Sequence, residues 1–304
     1  MIRLALISSA ETAEAYGSIS TRLHRAAWTA YAPVDSGGSG KVLGQVTEAA
    51  SAEELFADRV DAFDAVVIDA DQSAVVRLAK EASASGKPVL AGSTGGSLAA
   101  LGQADTLLMP AHPWRFLPSV QSVKRGLDDN KLGQAGLLRI HRWLPPGEGV
   151  GALADRILPD ADLACWLFGS APETVWSLQS AANPEYIQFH LGFANDGMAM
   201  IDVAASLPSG GDYFSLTMIG GTGAAYADDH HNMNLLYSGG QPNAIRASQG
   251  RADLVGQLQE FVDAISEQRA PSVTVADTTR EVEVLDQVLE SAKSRQVISG
   301  KEGN

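Results

Sequence analysis

Short apolar segments alternate with helical segments through the first 120 residues of this 304-residue chain. Ile2–Ile7 and Ala65–Ala70 are apolar almost throughout, which is typical of parallel strands that are buried on both faces. The sequence between such strands predicts helices, among them Thr12–Leu23 and Ser73–Ser83. Because a strand–helix–strand rhythm produces parallel pairing with helices packed on the sheet, residues 1–120 are predicted to form a doubly wound, mostly parallel α/β domain of nucleotide-binding type.

The pattern changes after residue 120. Tyr186–Leu191 alternates polar with apolar residues, the two-residue period of a sheet with one covered face. Glycine-rich turns follow, and two amphipathic helices near Asp253–Glu267 and Asp277–Lys293 close the chain. Residues 121–304 are therefore predicted to form an α+β domain with an open, mainly antiparallel sheet.

The chain is strongly acidic. It carries 22 Lys and Arg against 36 Asp and Glu, a formal net charge of −14. Such a charge repels phosphate backbones and anionic lipid surfaces, so we expect neither a nucleic-acid partner nor a membrane partner. The N-terminal apolar run is too short for a secretory signal, and no stretch of about 18 apolar residues could span a bilayer. A cytoplasmic protein is expected.

One segment of the second half has a distinctive spacing of acids and a tryptophan. Asp155 is followed by Asp162 and then by a Trp-Leu-x-Gly ending at Gly169. This spacing, together with Met218–Ala225 and Gln259–Ile265, resembles the second domain of the glucose–fructose oxidoreductase, inositol dehydrogenase and rhizopine-catabolism (Gfo/Idh/MocA) family. The resemblance extends over nearly the whole chain. It implies a Rossmann-like first domain that binds NAD or NADP, and a second domain with a pocket for a sugar-like substrate and a face for homo-oligomer formation.

Two catalytic groups of that family are replaced in this chain. Four residues after the first Asp the family carries a His, and this position is Pro159, which has no titratable group. The family's Glu-Lys-Pro segment follows a Gly-Lys-x-Val-Leu frame, which here places Ser93 at the lysine position. Asp155 is then the one ionisable member of this constellation that remains. It could act as a base, or it could cap its helix or pair with Arg156.

The expected cofactor loop also lacks its glycines. A dinucleotide site needs glycine directly after the first strand, because the backbone must approach the pyrophosphate closely. No glycine follows the first strand before Gly17, although Ser8 and Ser9 could donate hydrogen bonds to an anion at a helix N-terminus. Glu11 and Glu14 would repel phosphates. An ordinary strand-to-helix turn is the alternative interpretation.

Three further residues are candidate cofactor contacts. Asp35 could bind a ribose, and Ser93 and Thr94 lie in a glycine-rich segment that could form an anion-binding nest of backbone N–H groups. A flexible loop is the alternative for that segment. The family resemblance thus makes NAD or NADP a possible cofactor, while the residues available to hold it do not favour its binding.

Ligand contacts are predicted at His112, Arg115 and Asp162. The first two lie in a segment that resembles the cleft loop of the family, so they could contact a sugar-like or anionic small molecule; a helix-start loop is the alternative. No metal site is expected. Cys165 is the only cysteine, and neighbouring residues of Asp228–His231 would point to opposite faces of a strand.

Two functional hypotheses follow. In the first, the chain is a degenerate family member, a pseudoenzyme that has lost standard hydride transfer and acts as a ligand-binding or partner subunit. In the second, it is an active NAD(P)-dependent oxidoreductase for a sugar-like or cyclitol-like hydroxyl, with a re-sited acid/base such as Asp155 or His112. Homo-oligomer formation through the second sheet is compatible with either.

Overall fold

The computed structural model describes residues 1–34, 40–92, 98, 106–146, 152–206, 213–228, 234–237, 243–245 and 251–300. The chain divides into two compact units, each built from two separate segments. The first unit comprises Met1–Phe116 and Gln249–Thr279, and the second comprises Leu117–Ser248 and Arg280–Asn304. The first crossing lies close to residue 120, where the sequence pattern changes. The sequence predicts two continuous domains, residues 1–120 and 121–304, whereas Gln249–Thr279 belongs to the first unit.

A six-stranded parallel sheet forms the centre of the first unit and confirms the predicted α/β class. Its strands are β1 (Ile2–Ser8), β2 (Ala26–Pro33), β3 (Thr47–Glu48), β4 (Ala65–Asp69), β5 (Val89–Gly92) and β6 (Leu108–Pro110). Their order in space is β3-β2-β1-β4-β5-β6, and every pairing is parallel. The strand order therefore reverses between β1 and β4, the position at which doubly wound sheets bind their ligands.

Helices cover both faces of this sheet. They include α1 (Ala10–Ser18), α2 (Ala52–Asp58) and α3 (Gln72–Ala84). Alternate residues of β1 point to opposite faces: Ala5 and Ile7 share a core with α2 and α3, whereas Leu4 and Leu6 share one with α1. All four side chains are completely buried, which explains why β1 is apolar without alternation.

A later helix completes the cover on one face of the first sheet, the face that carries Leu4. After α4 (Pro118–Asp128) and α5 (Ala152–Phe168) of the second unit, the chain returns as α6 (Ala252–Ser266). Its Leu258 and Phe261 are completely buried in the cluster that contains Leu4. The amphipathic pattern predicted the helix but not this location, because an apolar stripe does not specify which sheet it covers.

The second unit is built on a nine-stranded mixed sheet. Its strands are β7 (Ala135–Trp143), β8 (Thr174–Gln179), β9 (Tyr186–Gly192), β10 (Met198–Ala204), β11 (Tyr213–Gly220), β12 (Ala224–Asp228), β13 (Asn234–Tyr237), β14 (Asn243–Ile245) and β15 (Ile298–Ser299). Their order is β14-β13-β12-β11-β7-β10-β9-β8-β15. Only β7 and β10 pair in parallel among these described strands, so the predicted open, mainly antiparallel sheet is confirmed.

One face of this sheet is covered by helices. α5 packs against β7 and β10, and α7 (Val275–Ser294), which belongs to the second unit from Arg280 onward, is hydrogen-bonded to β8. There the Ser177 hydroxyl donates to the Val288 carbonyl at 2.5 Å. On strands β7 to β11 the other face carries the exposed side chains. Among the described helices, none combines the length and apolar character needed to cross a bilayer.

Candidate ligand site

The turn between β1 and α1 contains a single residue, Ser9. Its hydroxyl accepts a hydrogen bond from the backbone N–H of Thr12 at 3.2 Å, so Ser9 is the N-cap of α1. One of the helix N–H groups that a bound anion would use is thus bonded within the chain. Glu11 is exposed in the same first turn, where its carboxylate adds negative charge. The cofactor role of Ser9 stays a prediction beside this capping role.

Ser8 ends β1 and is completely buried. Its hydroxyl donates to the Ser9 carbonyl at 2.9 Å. Its own carbonyl accepts hydrogen bonds from the Tyr31 hydroxyl at 3.2 Å and from the Val34 N–H at 3.1 Å. The polar atoms of Ser8 therefore tie the end of β1 to its neighbours, and the predicted contact of Ser8 with a cofactor remains a prediction.

Asp69 ends β4 at the reversal of strand order. In the register of the sheet it is level with Ser8 of β1 on one side and with Gly92 of β5 on the other. A Cβ atom built at Gly92 would lie 3.4 Å from Cγ of Asp69, so the backbone of β5 approaches this carboxylate closely. Ligands of doubly wound sheets bind outside the carboxyl ends of the strands at this reversal. A half-buried carboxylate therefore lies at the edge of the sheet where a phosphate would bind.

Two side chains of the first unit interact with Asp69. The Tyr16 hydroxyl of α1 and Arg251, which precedes α6, both lie near enough to lower the pKa of its carboxyl, although Arg251 also pairs with Asp253 at 3.8 Å. Burial has the larger effect and raises the pKa of Asp69 above its usual value. Burial likewise raises the pKa of Tyr16, so its hydroxyl remains a donor. Tyr16 is fixed by an edge-to-face contact with Trp28, whose ring centroid lies 5.7 Å away.

Sequence reasoning did not single out Asp69. The signal was present, because Asp69 closes the clearest predicted strand of the first half, Ala65–Ala70, which is otherwise apolar. An acid at the carboxyl end of a parallel strand lies at the ligand-binding edge of the sheet.

His112 and Arg115, both predicted ligand contacts, are bonded to the segment that begins α7. The Arg115 side chain is only 2% exposed, and its Nη2 lies 3.2 Å from Oδ1 of Asp277. Oδ2 of Asp277 accepts hydrogen bonds from the Thr274 N–H and hydroxyl at 2.9 and 2.8 Å. His112 is also buried, with Nε2 3.2 Å from the Thr278 hydroxyl. These contacts give both residues a structural role within the first unit, and ligand contact remains a prediction for both.

Asp155, Pro159 and Asp162 all lie on α5 of the second unit. Asp155 is half-buried in the first turn, and Asp162 is buried. Pro159 lies inside the helix, where it has no N–H to donate to the carbonyl of Asp155 four residues earlier. The described helix therefore continues through the position at which the family resemblance implies a histidine. The predicted catalytic role of Asp155 and ligand role of Asp162 stay predictions.

A different acid of α5 forms its strongest contact, and the sequence reasoning missed it. Asp160 is completely buried and accepts hydrogen bonds from Arg142 of β7, with Nε–Oδ2 at 2.7 Å and Nη2–Oδ1 at 2.5 Å. The Arg142 guanidinium also lies 4.6 Å from the ring centroid of Phe214. The available signal was an arginine at a core-facing position of a strand, which requires a buried acid as its partner.

The uncovered face of the second sheet is rich in large apolar side chains. Of the eleven exposed large apolar residues among the described ones, six lie on this face. They are distributed over six strands: Trp143, Leu178, Tyr186, Met198, Ile219 and Tyr226. Between them, Nδ1 of His141 lies 2.5 Å from Oδ1 of Asp202. Exposed large apolar side chains concentrated on one sheet face are typical of a protein–protein contact.

Several predicted site residues lie outside the described residues. Asp35, Ser93 and Thr94, the remaining candidate cofactor contacts, are among them. So are residues 229–231 of the acid–histidine run, for which no metal was expected.

A protein-family comparison matches more than half of the chain. The model described as the oxidoreductase family, C-terminal alpha/beta domain (GFO_IDH_MocA_C), matches residues 134–299. No curated protein matches the chain in sequence.

Solved structures of similar fold cover almost the whole chain. An oxidoreductase from Agrobacterium radiobacter, in complex with NAD+, L-tartaric acid and magnesium, has a TM-score of 0.82 and 18% identity over 98% of each chain. Levoglucosan dehydrogenase in complex with NADH and L-sorbose has a TM-score of 0.82 and 15% identity, again over 98% of each chain. GenD2 from gentamicin A biosynthesis, in complex with NAD, has a TM-score of 0.79 and 19% identity over 99% of this chain and 96% of its own. At these identities the likeness concerns the fold.

Proposed function

Because this chain belongs to the Gfo/Idh/MocA family of oxidoreductases, we propose that it retains the family scaffold to bind a small molecule but has lost NAD(P)-dependent hydride transfer. The observation that carries this proposal is Pro159 in the interior of α5, where the resemblance implies the proton-transferring histidine. A hydroxyl is oxidised by hydride transfer only if a nearby group accepts its proton. Proline has no such group. Ser93, at the position of the family's lysine, carries no positive charge.

The first-unit crevice, at the carboxyl ends of β1 and β4, does not fit a nicotinamide dinucleotide. Its pyrophosphate is anionic and needs backbone N–H groups, glycines or cations. Here the Ser9 hydroxyl already accepts from one N–H group at the start of α1, and Glu11 adds negative charge there. Asp69 presents a carboxylate at the end of the neighbouring strand β4. Each of these features weakens the binding of a phosphate. They support a ligand-binding role over cofactor-dependent catalysis.

The proposed ligand is a sugar-like or related hydroxylated molecule. The solved complexes of similar fold with L-tartaric acid and L-sorbose support this class. His112 and Arg115 in the first unit are proposed ligand contacts, and Asp162 in the second unit is proposed separately, since all three are buried polar side chains.

A second copy of the chain is the proposed partner. Six large apolar side chains on one open sheet face are an unfavourable surface for a monomer, and two such faces could bury each other. The polar His141–Asp202 pair within the face would help to fix the register of the two copies.

Cofactor titration tests the proposal. NADH and NADPH are added to the purified full-length chain, and the melting temperature and fluorescence are followed. A ligand at a hundredfold excess over its Kd stabilises a protein by about 2.7 kcal/mol. We expect no stabilisation by up to millimolar NADH or NADPH, and no reduction of NAD or NADP with a panel of polyols. Stabilisation at sub-millimolar cofactor would contradict the proposed loss of cofactor binding.

An active oxidoreductase is the second candidate. It is favoured by the half-buried Asp155, which lies one turn before Pro159 and could accept a proton. Cofactor-dependent turnover that disappears in Asp155→Asn would establish it in place of the first candidate. His112→Gln serves as the second variant, because His112 is the other possible base.

A further inference from the structure

We infer that Asp69 is a specificity-determining residue whose carboxylate takes the place of a bound phosphate at the first-unit crevice, so that this crevice rejects phosphorylated ligands. The inference rests on the proposed function, since it explains why the scaffold would not hold a dinucleotide. It goes further by assigning that exclusion to one residue.

The position of Asp69 carries the first step. It is the last residue of β4, in register with Ser8 at the end of β1, and the strand order reverses between these two strands. The strands point their carboxyl ends at the same edge, where a doubly wound sheet binds the pyrophosphate of a dinucleotide. A Cβ atom built at Gly92 on the other side would lie 3.4 Å from Cγ of Asp69, so β5 passes close to the carboxylate. An anionic ligand at this edge would therefore meet a fixed negative charge.

The partners of Asp69 carry the second step. The Tyr16 hydroxyl and the Arg251 guanidinium both lie near enough to favour the ionised carboxylate, against the larger opposing effect of burial. A hydroxyl donor and a guanidinium are the groups that would otherwise serve a phosphate. Here both lie close to an anion that belongs to the protein, and Arg251 also pairs with Asp253 at 3.8 Å. A phosphate would have to displace this internal anion, and it would also be repelled by it.

Removing the charge while keeping the shape should reverse the preference. Asp69→Asn keeps the size of the side chain and an acceptor oxygen, and it removes the negative charge near Tyr16 and Arg251. Asp69→Ser is a smaller second variant that also keeps an acceptor. Asp58→Asn is the matched control, because it removes the same charge from an exposed residue at the end of α2.

Isothermal titration of the full-length chain with inorganic pyrophosphate, and then with NADH, tests the inference. We expect Asp69→Asn or Asp69→Ser to bind pyrophosphate at least tenfold more tightly than the wild-type chain, and Asp58→Asn to leave the affinity unchanged. Melting curves verify that each variant is folded. An equal gain in Asp58→Asn would overturn the inference, because net charge alone would then account for the effect.

The remaining outcomes separate this inference from the proposed function. If neither the wild-type chain nor the Asp69 variants bind pyrophosphate or NADH, Asp69 is not the cause of exclusion, but the proposed loss of cofactor binding stands. If the wild-type chain binds NADH tightly, both the proposed function and this inference are wrong. If the Asp69 variants gain pyrophosphate binding alone, the inference holds and other residues exclude the rest of the dinucleotide.

Discussion

Arg142 and Asp160 form a bidentate ion pair that is shielded from solvent within the second unit. The arginine comes from the core-facing side of β7, and the aspartate directly follows Pro159 in α5. The pair thus attaches the proline-containing part of the helix to the centre of the sheet. The intact pair should add little to the free energy of unfolding, because the loss of hydration of two buried charges offsets their attraction. Removal of one partner alone should be costly, because the other charge then stays buried without a partner.

Asp160→Ala should lower the free energy of unfolding by about 3–5 kcal/mol, since it leaves the Arg142 charge buried without its carboxylate. The double variant Arg142→Met with Asp160→Leu should recover most of this loss. Urea denaturation followed by circular dichroism measures both. A loss below about 1 kcal/mol in Asp160→Ala would show that the pair is not closed to water.

The raised pKa of Asp69 predicts an unusual pH dependence. A carboxyl whose pKa is higher in the folded state binds its proton more tightly there, so the folded state loses stability as the pH rises from about 3.9 through the folded pKa. Asp69→Asn lacks this loss. The stability difference between variant and wild type should therefore increase with pH across that window and then level off. A constant difference between pH 3 and pH 8 would contradict it.

Asp277 should show the opposite sign. Burial acts to raise the pKa of its carboxyl, but the Arg115 charge and the Thr274 hydrogen bonds outweigh burial and hold the pKa below its usual range. The stabilisation is therefore present above about pH 3.9 and is lost as the pH falls through the folded pKa. Asp277→Asn should cost about 1–3 kcal/mol at pH 7 and progressively less in acid. Unfolding free energies of both proteins across pH 2–7 give the comparison.

The capping role of Ser9 predicts a graded series. Ser9→Ala removes the acceptor for the Thr12 N–H and should destabilise the chain by about 1 kcal/mol. Ser9→Asp preserves an acceptor and should restore the stability. Thermal unfolding of the three proteins distinguishes them, and equal stabilities for alanine and serine would show that α1 does not depend on this cap.

The open face of the second sheet can be tested by charge insertion. Met198→Arg places a cation on the exposed face, at the start of β10, and should convert an oligomer to a monomer. Leu289→Arg is the matched control, because Leu289 is a similarly exposed apolar residue on α7. Light scattering at micromolar concentration reports the mass. A wild-type monomer, or an equal effect of both substitutions, would argue against the proposed self-association.

The sequence was most informative where local pattern and environment agree. The apolar run at Ile2–Ile7 became β1 because its side chains are buried on both faces, and the alternation at Tyr186–Leu191 became β9 because only one face is covered. The two-domain class followed from these periods. The surface on which α6 packs could not be predicted, because the apolar stripe of a helix can pack on any apolar surface.

The site was less predictable than the fold, for a physical reason. Asp155, Asp160 and Asp162 occupy one helix, and successive helical residues are turned by about 100 degrees. Which of these acids faces the sheet therefore depends on how the helix is rotated against it. The contact between Arg142 and Asp160 settles that rotation. Asp69 is different, since its position at the end of a predicted parallel strand was open to the sequence reasoning.

The return of α6 makes the order of synthesis matter. Leu4 emerges from the ribosome about 250 residues before Leu258 and Phe261, which cover it and which follow only after strands β7 to β14 have been translated. At elongation rates of about 5–20 residues per second, the nascent parallel sheet has an uncovered apolar face for roughly ten seconds or more. A nascent chain in that condition is a natural client for holding chaperones, and a chain truncated before α6 is expected to aggregate.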